Sequence, residues 1–169
     1  TVGVYLVADG MGGHMDGELA RRTACEIVAE HLLAALGLPA LAAYSPDSVL
    51  QQIADALQSA NRQIYETAAA NGSNMGTTAV LAVVVDDQAY LAHVGDSRAY
   101  LWRASELRQL TEDHSHVYTL FKNGLLEEQA IYSHPRRNEI FRSLGAAPAV
   151  EVSCSQTDLA PDDLLLLCS

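Results

Sequence analysis

Apolar side chains run almost unbroken over residues 3–8 and stop at Asp9, where Gly10-Met11-Gly12-Gly13-His14 begins. A run of this length, bounded by glycine, predicts a buried strand that ends in a carboxylate and a sharp turn. The spacing then changes. Ala20, Ala24, Ile27, Val28, Leu32 and Leu36 recur at helical intervals, which predicts a first helix over 17–36, stopped by Gly37 and Pro39. A second helix starts at Pro46. Ser45 is its N-cap, Asp47 sits in its first turn, and Val49, Ile53, Leu57, Ala60 and Ile64 form its apolar stripe. Asn71-Gly72 closes it, and neither glycine nor proline interrupts it between Asp47 and Ala70.

The pattern switches again at Thr77. Residues 77–85 are β-branched and almost continuously apolar, which predicts a strand in the middle of a sheet. Asp86-Asp87 turns it, 89–94 returns, Gly95-Asp96-Ser97 turns again, 98–103 goes back out, and Ala104-Ser105 precedes 107–110. Connections this short join antiparallel neighbours, so the segment is a meander and not a βαβ sheet. A helical patch over 115–122 ends at Asn123-Gly124, one further turn covers 127–131, and a short helix is predicted over 140–144. Strands over 150–155 and 164–168 finish the chain, with Pro161-Asp162-Asp163 between them.

Composition narrows the function. A chain of 169 residues suits one domain, and 49% hydrophobic content supports a core. A net charge of −11 argues against nucleic acid and anionic membrane surfaces, since both need a basic face. Cys25, Cys154 and Cys168 are scattered and form no C-x-x-C, so a reducing compartment, the cytoplasm, is the expected setting. No apolar run is long enough for a membrane span, and none has the form of a signal peptide. The chain opens directly on one apolar strand and closes on another, so it is expected to be an incomplete piece of a domain.

Two aspartates stand at strand ends, Asp9 and Asp96. Each alone is an ordinary turn residue. Together, on one sheet edge, two carboxylates with a glycine carbonyl nearby make a hard-oxygen site of the kind Mg²⁺ or Mn²⁺ takes. The glycines match neither phosphate-loop spacing, and no lysine lies nearby. Thr77-Thr78 reads as the start of a strand before it reads as a phosphate ligand. His114 and His116 fit a surface loop, and Arg136-Arg137 is either a phosphate clamp or a solvated charge pair. No Ser-His-Asp or Cys-His arrangement has a recognisable local context.

In order, the chain carries Val7-Ala8-Asp9-Gly10-Met11-Gly12-Gly13-His14, Gly76-Thr77-Thr78-Ala79, and Ala92-His93-Val94-Gly95-Asp96-Ser97-Arg98-Ala99-Tyr100-Leu101. Leu110-Thr111-Glu112-Asp113-His114-Ser115, His134-Pro135-Arg136-Arg137-Asn138 and Asp163-Leu164-Leu165-Leu166-Leu167-Cys168-Ser169 follow. This series resembles the metal-dependent protein serine/threonine phosphatases of the PP2C type, in their bacterial form. The resemblance implies an α+β fold, a four-layer α-β-β-α sandwich with two antiparallel sheets between helices. It implies two Mn²⁺ or Mg²⁺ ions, and a third more weakly held, at one end of the sheets. A water there attacks phosphoserine or phosphothreonine with no phosphoenzyme. Asp9 takes the place of the carboxylate that bridges the ions, Gly10 of a carbonyl ligand, and Asp96 of the ligand to the third metal. Residues 115–144 match the family's variable flap. The implied partners are phosphorylated proteins, either Ser/Thr kinases or their substrates.

This chain also departs from the family. An arginine and an Asn-Glu-Asp run precede the first strand in the family, and an Asp-Gly follows Cys-Ser; this sequence holds neither. Met11 stands where animal members carry a histidine, so no general acid is assigned, and His14 is an untested substitute. The expectation is a phosphatase domain of which this chain binds metal poorly and turns over slowly or not at all. Two rivals remain open at this point: a non-catalytic phosphatase-like regulatory or binding domain, and an unrelated acidic α+β domain in which both aspartates only make turns.

Overall fold

The computed structural model describes residues 2–35 and 45–169, without the side chain of His14. Strands β1 (Val2–Val7), β4 (Ala79–Val85), β5 (Gln88–Val94) and β8 (Ser153–Asp158) form an antiparallel sheet in the order β1-β4-β5-β8. A second antiparallel sheet has the order β7-β6-β9, from Glu106–Gln109, Arg98–Arg103 and Leu164–Cys168. A two-residue ribbon, β2 (Gly10–Met11) against β3 (Gly76–Thr77), stands beyond the end of β1.

Helices α1 (His14–Ala35) and α2 (Pro46–Asn71) pack against each other and cover one face of the four-stranded sheet. Ser45 caps α2 as expected, its hydroxyl accepting from the Ser48 N–H, and Gly72 closes it in the left-handed conformation. Side chains alternate along β4. Leu81 and Val83 enter the core beneath the helices, whereas Val80 and Ala82 meet Leu91, Ala99, Leu165 and Leu167 between the two sheets. Burial on both faces explains why this strand is apolar at nearly every position. These are three of the four layers of the expected sandwich. On the outer face of the second sheet Trp102, Leu107, Leu164 and Leu166 are exposed. Among the described residues no helix is long and apolar enough to cross a membrane.

Several expected boundaries move. The first helix begins at His14 and not at 17; Leu36, Gly37 and Pro39 lie outside the described residues. The strand predicted over 77–85 is divided at Thr78, so that its start pairs with β2 and the remainder with β1 and β5. No helix forms over 140–144. Ile140 bridges Ser115, and Leu144 exchanges both main-chain bonds with Thr77, at 2.9 and 3.1 Å. Sheet pairing has taken the groups a helix needs. The strand predicted over 150–155 starts at Ser153, because the Val150 carbonyl accepts from Gln58 of α2 and pairing with β5 begins only at Ser153 opposite His93. Helix α3 (His116–Lys122) is capped by Ser115, and α4 (Glu128–Ile131) is the expected single turn.

Candidate metal centre

β1 delivers Asp9 to the end of the four-stranded sheet, and Thr78 holds it there. The Asp9 N–H donates to Thr78 Oγ1 at 3.3 Å, and the Thr78 N–H donates to the Asp9 carbonyl at 2.9 Å. Gly10 follows against the start of α1. A Cβ on Gly10 would lie 1.9 Å from the Gly17 carbonyl oxygen, so only glycine lets the ribbon and the helix meet. Asp96 lies in the turn from β5 to β6. Gly95 precedes it at φ 104°, its α-carbon so near Thr78 that a Cβ would stand 2.6 Å from Cγ2.

A ring of hydroxyls joins these turns. Asp9 N–H donates to Thr78 Oγ1, which lies 2.5 Å from Ser97 Oγ. Ser97 donates to Ser169 Oγ at 3.0 Å, and Ser169 donates to Asp9 Oδ2 at 3.0 Å. With Thr78 donating to Ser97, every hydroxyl gives one bond and takes one, and the chain that leaves the Asp9 amide returns to its carboxylate. Thr78 and Ser97 are buried, whereas Asp9 and Ser169 are exposed.

Asp9, Gly10 and Asp96 line one cavity of about 460 Å³ with Met11, Thr78, Asn138, Glu139 and Ile140. Burial pushes the Asp96 carboxyl above the usual carboxylate range, its own main-chain N–H and Arg98 oppose the rise, and the charges of Asp113 and Asp9 add to it. Uncompensated negative charge here is what a cation would relieve. The oxygen donors are right in kind for Mg²⁺ or Mn²⁺. In number they are few: among the described residues no group of three or more His, Cys, Asp or Glu side chains could hold a metal ion.

Behind the Asp96 turn, residues 111–115 are packed into the molecule; Glu112 alone is exposed. His114 is therefore not the surface-loop residue its polar neighbours suggested. Its Nδ1 accepts the Gly95 N–H at 3.1 Å and its Nε2 meets Ser153 Oγ at 2.9 Å. Its ring stacks on His93 at 4.6 Å. Burial, then His93 and Arg142, hold His114 down to about 4, so the ring is neutral. Asp113 grips Arg98 through Nε at 2.8 Å and Nη2 at 2.5 Å, and that carboxylate raises the Arg98 pKa further. His116 shares no ligand point with His114; its Nε2 faces Arg136 at 2.8 Å. Nor do Arg136 and Arg137 form a clamp. Arg136 pairs with Glu139, while Arg137 borders a neighbouring cavity of about 340 Å³ with Asp96, Asn138 and Ser169. The His14 side chain lies outside the described residues.

In the sequence Thr78 and Ser97 carry only the signals of a strand and a turn. Ser169 carries no local signal, because its role depends on two sheets meeting.

Comparison with known proteins fits this geometry. Residues 1–118 match the family model described as Protein phosphatase 2C. The serine/threonine phosphatase Stp of Listeria monocytogenes serotype 4b is 38% identical over 168 residues, covering 98% of this chain and 65% of that protein. The chain thus spans about 65% of the length of the curated relatives it matches. The solved serine/threonine phosphatase of S. agalactiae superposes with a TM-score of 0.84 at 34% identity, over 98% of this chain and 66% of that one. The catalytic domain of the phosphatase PstP, solved in complex with two manganese ions, superposes at 0.80 with 28% identity, over 99% of this chain and 70% of that one. The chain belongs to the protein phosphatase 2C family.

Proposed function

We propose that this chain carries part of the active site of a metal-dependent protein phosphatase that hydrolyses phosphoserine and phosphothreonine. The observation that carries the reading is the meeting of Asp9, Gly10 and Asp96 in one cavity at the end of two packed sheets, in a chain of this family. The Asp9 and Asp96 carboxylates and the Gly10 carbonyl are the groups that would hold Mn²⁺ or Mg²⁺. Two ions are the number in the PstP structure. A bound ion of this type lowers the pKa of water and polarises a phosphoryl oxygen.

The protein's own groups orient and exclude. The hydroxyl ring keeps Asp9 facing the cavity, and the turn from β5 to β6 carries Asp96 to its edge. Asn138, Glu139 and Ile140 of the 115–144 segment form the far wall, where a phosphorylated side chain would enter. Arg137, exposed beside the adjoining cavity, offers a cation to the approaching phosphate. Water oxygen bonds to phosphorus as the ester oxygen leaves, giving inorganic phosphate and the free hydroxyl. Substrates on this reading are phosphorylated proteins, Ser/Thr kinases or their targets. A cytoplasmic setting agrees with three free thiols.

A second reading, a non-catalytic phosphatase-like module, is favoured by the small donor set among the described residues. Hydrolysis of para-nitrophenyl phosphate with Mn²⁺, by this chain and by a form extended at both ends, separates the two. Mn²⁺-dependent turnover that Asp9→Ala abolishes supports the enzyme; no turnover in either form supports the module.

A further inference from the structure

The turn that carries Asp96 is clasped by residues 110–114 at nearly every step. The Leu110 N–H donates to the Ala99 carbonyl at 2.8 Å, and the Ala99 N–H donates to Thr111 Oγ1 at 3.2 Å. His93 Nε2 donates to the Glu112 carbonyl at 2.8 Å, and Asp113 takes Arg98. His114 finishes the series and touches the turn twice. Its N–H donates to the Gly95 carbonyl at 2.9 Å, and its Nδ1 accepts the Gly95 N–H at 3.1 Å.

That second bond constrains the ring. Nδ1 accepts, so the neutral ring carries its proton on Nε2. Nε2–H then donates to Ser153 Oγ on β8, 2.9 Å away. The Arg142 Nη1 atom, 3.2 Å from Nε2, is a contact and not a donor to it, and Arg142 is paired with Glu151. One side chain thus ties the main chain of Gly95, just past the end of β5, to β8, the edge strand of the same four-stranded sheet. Gly95 has no freedom to compensate: at φ 104° and pressed on Thr78, it depends on these partners for its place. Asp96 follows Gly95 directly, so the main chain that carries its carboxylate is fixed where Gly95 is held.

We infer that His114 is a positioning residue for Asp96: by accepting the Gly95 N–H it aims the Asp96 carboxylate into the cavity shared with Asp9. This rests on the reading of Asp96 as a cation ligand. Outer-shell partners of a ligand commonly govern its affinity for the ion.

The test uses this chain, Mn²⁺ as probe, and NMR. In the unsubstituted protein the ring nitrogen shifts are expected to report the Nε2–H tautomer at neutral pH; the Nδ1–H tautomer overturns the proposal with no variant needed. Mn²⁺-dependent broadening of the Gly95 and Ser97 amides then gives affinities for three variants. His114→Asn keeps an acceptor oxygen near Nδ1, and His114→Leu keeps bulk without one. Binding is expected to weaken about tenfold or more in His114→Leu but by no more than about threefold in His114→Asn. Equal loss in both, or no loss in either, overturns positioning. Asp96→Asn is the control. If it leaves broadening intact, or if the parent gives none, the ligand reading fails and the proposal with it. If Asp96→Asn abolishes broadening and His114→Leu does not weaken it, positioning alone fails.

Discussion

Ser169 Oγ donates to Asp9 Oδ2 at 3.0 Å, joining residues 160 positions apart and closing the hydroxyl ring that begins at the Asp9 amide. The members of that ring differ in burial. Ser97 is 1% exposed, so Ser97→Ala strands the buried Thr78 hydroxyl without its acceptor and is expected to cost about 2 kcal/mol. Ser169 faces water, which replaces its bond, and Ser169→Ala is expected to cost less than about 0.5 kcal/mol. Urea denaturation of the two variants measures the difference; equal costs would rule out a buried network.

Among the described residues Arg98 and Asp113 form the ion pair with the least access to solvent, 19% and 4% exposed at the side chains. Asp113→Ala leaves a half-buried guanidinium with only the Tyr100 hydroxyl, 3.0 Å away, among the described residues. A loss of about 2 kcal/mol follows, because the remaining charge is uncompensated except by the water that reaches it. Replacing both partners, Arg98→Met with Asp113→Leu, is expected to recover most of it. Denaturation midpoints across this double-mutant cycle give the coupling directly.

Two buried neutral histidines give the fold a defined response to acid. Burial lowers both His93 and His114, and His114 falls from the ordinary 6.5 to about 4. As pH drops below 6.5 the unfolded chain binds protons that the folded chain refuses. Stability is therefore full above pH 6.5, declines as pH falls toward 4, and has no further loss from His114 below that. Thermal melts between neutral pH and pH 4 are expected to show falling midpoints. A shallower slope in His114→Asn confirms the source, and an unchanged slope refutes it.

Gly10→Ala places a methyl 1.9 Å from the Gly17 carbonyl, against backbone that cannot swing aside. Parting β2 from α1 is expected to cost about 3 kcal/mol. A Cβ at Gly13 meets nothing within 4 Å, but φ is 99° there, so Gly13→Ala is expected to cost about 1 kcal/mol through backbone strain alone. Melting temperatures of the pair rank the two effects.

Periodicity made the helices and the meander legible, since α2 has an unbroken stripe with caps at both ends and β4 to β7 follow one another through tight turns. Edge pairing was less legible. β8 is Ser-Cys-Ser-Gln-Thr-Asp, an edge strand whose register is set by β5 and not by its own alternation. Ile140 and Leu144 sit at helical spacing, yet Ile140 bridges Ser115 at the start of α3 and Leu144 pairs with Thr77 of β3. At the candidate site the same division holds. Asp9, Gly10 and Asp96 announce themselves at strand ends beside glycine. His114 does not, because a polar run of Thr-Glu-Asp-His-Ser reads as solvated until the fold pairs Thr111 with Ala99, Asp113 with Arg98, His114 with Gly95 and Ser153, and Ser115 with the first turn of α3.

The split at Thr78 bears on how the molecule breathes. Gly76 and Thr77 belong to the ribbon beside the cavity, and Ala79 onward belongs to the doubly covered strand, so one residue, Thr78, joins the mouth to the centre. The mouth consequently has no soft joint on that side. Amide protons of the ribbon should exchange with deuterium almost as slowly as those of the innermost strand, and a cation entering between the two aspartates would meet a frame already rigid.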